Sequence, residues 1–173
     1  MNIVMLGYRG TGKSVISKIL SDKLNRKLYK IDEMISKSAC KSIREIVEQE
    51  GWERFRKRES DIVAEVSAMA KNSIIDCGGG VVLSDMNIAN LKKGGVCIVL
   101  TASLEIIMRR IRNDRNRPPL KSGVSFEEEQ TRIFAEREGK YRAAADFMCD
   151  TSHRKPRETA GDISKFLKAN RLI

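Results

Sequence analysis

The chain has 173 residues, 41% hydrophobic and 32% charged, with a net charge of +10. This length predicts one compact domain with a real core, and no apolar run is long enough to span a bilayer, which speaks against membrane insertion. The basic excess would suit a nucleic-acid binder, but aromatics are only 5% and none alternate with basic residues, so an anionic small substrate is the preferred account. Met1 to Leu6 leads straight into a glycine loop without a basic region or cleavage site, and a cytoplasmic location is expected. Cys40, Cys77, Cys97 and Cys149 form no C-x-x-C pair and read as reduced thiols, the last three as small buried hydrophobes.

In chain order, the apolar run Asn2 to Leu6 predicts a first strand. Directly after it, Gly7-Tyr8-Arg9-Gly10-Thr11-Gly12-Lys13-Ser14 fulfils G-x-x-x-x-G-K-[ST]. Val15, Ile16, Ile19, Leu20 and Leu24 then recur at helical spacing. A second strand is expected over Lys27 to Ile31, and Ser42 with Glu45 forms a capping box that starts another helix. Ser73 to Cys77 reads as the third strand, ending on Gly78-Gly79-Gly80, and Val96 to Leu100 as the fourth. The segment from Arg112 to Gly123 is polar, basic and broken by Pro118 and Pro119; beside a nucleotide site it predicts a phosphate lid over about 112–124. Ser125 with Glu128 caps a helix running to about Ala145, whose Glu127-Glu128-Glu129 run is expected to be a solvated first turn. Phe147 to Cys149 is the fifth strand. Short strands separated by crossover helices predict an α/β fold with a parallel sheet covered on both faces.

The glycine loop carries the firmest chemistry. Its backbone amides turn inward around phosphates, and the following helix adds its positive dipole end. Lys13 supplies a mobile charge that follows a transferring phosphoryl group, and the Ser14 hydroxyl suits Mg2+. Gly10, Thr11, Gly12, Lys13, Ser14 and Val15 are the predicted ATP-binding residues of this loop.

Together, the glycine loop, Asp32, Phe55-Arg56, Gly78-Gly79-Gly80, Arg117-Pro118 and Arg137 to Tyr141 resemble the shikimate kinase family, in order and spacing along nearly the whole chain. The resemblance implies a three-layer P-loop fold like that of nucleoside monophosphate kinases, with a five-stranded parallel sheet, a substrate-binding subregion over about 32–60 and a lid. It further implies transfer of the ATP γ-phosphate to the 3-hydroxyl of shikimate, in aromatic amino-acid biosynthesis, by a monomer. Arg56 and Arg137 match the family's carboxylate-binding arginines, a task suited to planar bidentate guanidinium. Asp32 matches the substrate aspartate and candidate proton acceptor, and can also serve as a helix N-cap. Gly78, Gly79 and Gly80 are expected to let substrate approach the backbone. Arg117 resembles the lid arginine, and Lys13, Asp32 and Arg117 are the catalytic candidates. Arg110 and the loop Asp150 to Pro156, with Arg154, fall where the family holds adenine, and His153 is read as part of that loop.

One departure stands out. The family commonly carries D-x-D after the second strand, the first aspartate helping to hold magnesium, but here the stretch is Lys30-Ile31-Asp32. Asp76, just before the glycines, sits where P-loop enzymes keep a metal-side aspartate, and with Ser14 forms the candidate Mg2+ site; Lys30 would then pair with Asp76 or point to solvent. The plainer account of Asp76 is a cap for the glycine turn. Two alternatives to shikimate phosphorylation are another kinase of the same fold, such as a gluconate kinase, and a nucleotide-binding module without catalysis.

Overall fold

The structure, a computed structural model, describes residues 1–112 and 125–173. The predicted lid and Arg117 therefore lie outside the described residues, apart from Arg112. Strand β1 (Asn2–Gly7) leads through the glycine loop into helix α1 (Lys13–Leu24), followed by β2 (Leu28–Lys30), α2 (Ile31–Ala39), α3 (Ile43–Met69) and β3 (Ile74–Asp76). A short 3-10 turn at Val81–Leu83 precedes α4 (Asp85–Lys92), β4 (Gly95–Thr101), α5 (Leu104–Ile111), α6 (Phe126–Ala144), β5 (Phe147–Asp150) and α7 (Pro156–Ala169). All five predicted strands are present, in one sheet of order β2-β3-β1-β4-β5 with every neighbouring pair parallel.

Alternation along β1 explains the layers. Val4 and Leu6 face a core shared with Ile31 and Ile35 of α2, Phe55 and Val63 of α3, and Tyr141 of α6. Ile3 and Met5 face the opposite side, against Ile16 and Leu20 of α1 and Ile163 and Leu167 of α7. Strands buried on both faces are what a parallel sheet demands, and truncating a wholly buried Leu20 to Ala should cost about 2–5 kcal/mol.

Both capping boxes form: the Ser42 hydroxyl accepts from the Glu45 amide while Glu45 reaches back to the Ser42 amide, and Ser125 and Glu128 do the same. The helix begun by Ser42 bends at Gly51, whose φ of 82° interrupts it. Differences from expectation are local. The second strand is shorter because Ile31 is drawn into the first turn of α2, packing at 0% exposure, so Lys30 and not Asp32 holds the N-cap position. Glu129 is no solvated residue: the rotation of α6 buries it at 4% exposure, where Gln130 Nε2 donates to its carboxylate, while Glu127 and Glu128 stay exposed. Cys77, Cys97 and Cys149 are buried as expected and Cys40 is exposed.

Candidate active site

The strand-loop-helix unit at the N-terminus builds the floor. Gly10 and Gly12 take φ of 78° and 88°, values a side chain would strain, which lets the loop curl back on itself. Lys13 bends over this curl and donates to the Gly7 carbonyl at 2.8 Å and the Tyr8 carbonyl at 3.0 Å. The loop is braced from outside. Thr11 Oγ1 donates to Tyr8 O at 2.7 Å, Thr151 Oγ1 donates to Thr11 O at 3.1 Å, and the Tyr8 hydroxyl donates to Gln130 Oε1 at 2.8 Å, tying the loop to α6.

A cavity of about 380 Å³ opens above the loop. Lys13, Ser14, Asp32, Asp76, Gly78 and Gly79 line it, as do Gly10, Gly12 and Val15, so most of the predicted phosphate and acceptor residues meet in one place. Asp76 is 7% exposed; burial pushes its carboxyl up, against the opposing pull of the Lys13 ammonium and a hydrogen bond with Ser14. Its Oδ1 is buried and makes no hydrogen bond among the described residues. That orphaned oxygen beside the Ser14 hydroxyl fits a hard cation. Mg2+ is usually bound by one or two carboxylates plus substrate phosphates and water, so a full protein cage is not required, and none of three or more His, Cys, Asp or Glu occurs among the described residues. Lys30 does not pair with Asp76: its ammonium lies 2.7 Å from Glu33 Oε1 at the rim of the same cavity.

The glycine triplet also has a role inside the protein. A Cβ on Gly78 would sit 2.6 Å from Asp32 Oδ1 and 2.8 Å from Glu59 Oε1, and one on Gly80 would sit 2.2 Å from the Arg56 guanidinium. While Gly78 and Gly79 also line the cavity, the space a Cβ would need at 78 and 80 is therefore filled by the protein's own polar side chains. Between them, the Gly79 carbonyl accepts from Arg137 Nη1 at 3.3 Å and from the Tyr141 hydroxyl. The run thus seats Asp32 and both predicted carboxylate-binding arginines against one stretch of backbone. Arg137 is 8% exposed, forms no ion pair among the described residues, and leaves its Nε buried without a partner there. A buried guanidinium so placed is primed for an anion.

Arg56 lies over the rings of Trp52 and Phe55 and donates to Glu59 Oε2 at 2.6 Å. Glu59, 1% exposed, was not predicted. Its spacing of three from Arg56 on a helix was the available signal, but such pairs are usually surface features. Among the residues predicted to hold adenine, Arg110 donates to Gly10 O at 3.1 Å and to Thr151 O at 2.7 Å, joining α5 to the glycine loop and to the segment after β5. Arg154 pairs with Asp162, Pro156 opens α7, and both are exposed and outside the cavity lining. His153 is also exposed.

The shikimate kinase family model matches residues 9–168. A shikimate kinase of Nitrosospira multiformis is 38% identical over 166 residues, covering 96% of this chain and 84% of that protein. One from Caldanaerobacter subterraneus subsp. tengcongensis is 39% identical over 163 residues, covering 94% and 93%. Among solved structures, shikimate kinase from Acinetobacter baumannii in complex with shikimate superposes with a TM-score of 0.92 at 28% identity, covering 99% of this chain and 95% of that one. With a glycine loop and a buried carboxylate lining one cavity, two arginines seated on the glycine run at its edge, and these matches spanning almost its full length, the chain belongs to the shikimate kinase family.

Proposed function

We propose that this protein transfers the γ-phosphoryl group of ATP to the 3-hydroxyl of shikimate, giving shikimate 3-phosphate and ADP, with Mg2+ held by Ser14 and Asp76. The observation that carries this reading is the juxtaposition of the phosphate loop and the Gly78 to Gly80 run, with Asp32 lining the cavity between them. On the donor side, Gly10 to Val15 wrap the phosphates, and Lys13 exchanges its two carbonyl partners for phosphate oxygens. Ser14 and Asp76 would hold Mg2+, which would supply charge neutralisation for the phosphates. Arg110, by clamping Gly10 to Thr151, shapes the edge at which Arg154 and Pro156 meet the base.

On the acceptor side, Arg56 and Arg137 take the carboxylate, Arg137 through its unpartnered Nε edge. Asp32 hydrogen-bonds the acceptor hydroxyl and receives its proton as the oxygen attacks phosphorus. Arg117 is assigned the lid role by its sequence motif. Substituting Arg137 by Ala should raise the shikimate KM roughly 100-fold or more, the equivalent of leaving a carboxylate without its charge-assisted partner, with the ATP KM little changed. Equal losses for both substrates would contradict the assignment. For the metal, Asp76→Asn should steeply raise the Mg2+ concentration needed for half-maximal rate, and an unaltered titration would remove Asp76 from the site.

A further inference from the structure

Lys30 occupies the position where the metal-side carboxylate is missing, and its surroundings show what it does instead. In the parallel ladder of β2 and β3, Lys30 is the register partner of Asp76. Side chains at paired positions leave a sheet on the same face, so the lysine stem and the Asp76 carboxylate start side by side. Both line the cavity that also contains Lys13 and Ser14. Among the described residues the Lys30 ammonium is held by Glu33 alone, a neighbour in the first turn of α2, and the two side chains are 36% and 57% exposed. Exposed pairs of this kind hold weakly and exchange readily.

Among the described residues the charges of the cavity lining balance in number: Arg9, Lys13 and Lys30 stand against Asp32, Glu33 and Asp76. A phosphoryl group entering between Lys13 and Asp32 adds negative charge on its equatorial oxygens, next to carboxylates that already crowd that side. An ammonium at position 30 cannot hold a metal ion, but it can hold a phosphoryl oxygen, and a four-carbon stem gives it the reach.

We propose that Lys30 is a phosphate-contacting residue of this active site: it leaves Glu33 and binds the phosphoryl group as that group passes from ATP to the acceptor hydroxyl. This rests on the kinase reading above. As the acceptor oxygen bonds to the γ-phosphorus, the bond from phosphorus to the bridging oxygen of ADP breaks and the hydroxyl proton goes to Asp32. Lys30 stays protonated throughout and ends on the phosphate of the product. Glu33 is its resting partner, so Glu33 tunes how easily the lysine is released.

The test is calorimetric titration of shikimate and of shikimate 3-phosphate into the wild-type protein, Lys30→Met, Glu33→Gln and the double variant. Lys30→Met should bind shikimate as the wild type does and the phosphorylated product roughly tenfold more weakly, the loss of one charge-assisted hydrogen bond. Glu33→Gln should tighten product binding several-fold, and that gain should vanish in the Lys30→Met background, since it acts through the released lysine. A wild-type ratio of the two affinities in Lys30→Met, or a Glu33→Gln gain that persists without the lysine, would overturn the proposal while leaving the kinase reading intact. A wild-type protein that binds neither ligand would overturn both.

Discussion

At Gly80 a single added methyl group would fall 2.2 Å from the Arg56 guanidinium, which in turn is fixed by Glu59 and two aromatic rings. Gly80→Ala should therefore displace the arginine and raise the shikimate KM by roughly tenfold or more, while ATP binding stays near wild type; parallel steady-state titrations of both substrates check it. Neither Glu59 nor this steric demand for glycine was legible in the sequence. Collisions between residues 32, 56, 59, 78 and 80 exist only after the helices have packed on the end of β3. The conformation of the glycine loop, by contrast, was legible because its signal is local: glycines that take positive φ, a lysine and a hydroxyl in one short run. Cysteine chemistry divides along the same line of burial. Burial pushes the Cys97 thiol up to about 12 and raises those of Cys77 and Cys149, whereas Cys40 lies exposed. A thiol reagent at pH 8 should thus modify one cysteine rapidly in the native protein, and Cys40→Ser should abolish that fast phase.

The capping boxes are the clearest case of an element read directly from sequence, since Ser and Glu three positions apart need only each other. Removing one partner should be felt without disturbing the site. Ser42→Ala should lower the unfolding free energy by about 1 kcal/mol in urea denaturation and leave the rate unchanged. Where an element depends on its neighbours, sequence was a poorer guide. The second strand gives up Ile31 because α2 begins there and buries it, and this handover places Lys30 at the strand end and Asp32 in the first helical turn, both on the cavity. The three glutamates of α6 likewise look equivalent in sequence. Only the docking of that helix beside the Tyr8 end of the glycine loop makes Glu129 an interior residue and leaves the other two in solvent.

For the whole molecule, the parallel sheet with helices on both faces was readable from the rhythm of strands and crossovers, but its order was not. Placing β1 between β3 and β4 brings the C-terminal ends of β1 and β3 together, so that the glycine loop after β1 and Gly78 and Gly79 after β3 face one cavity. The basic excess of the chain reads as suited to anionic small substrates and not to nucleic acid. Generic RNA should accordingly show no retained affinity at physiological salt, and light scattering should give the mass of one 19.5 kDa chain. The central claim concerns the acceptor. Purified protein incubated with ATP and Mg2+ and, in turn, with shikimate, gluconate or nucleoside monophosphates, with ADP release coupled to an optical readout and the product identified by phosphorus NMR, tests it directly. The account predicts robust turnover with shikimate and phosphate on its 3-hydroxyl; turnover confined to gluconate or a nucleoside monophosphate would contradict it.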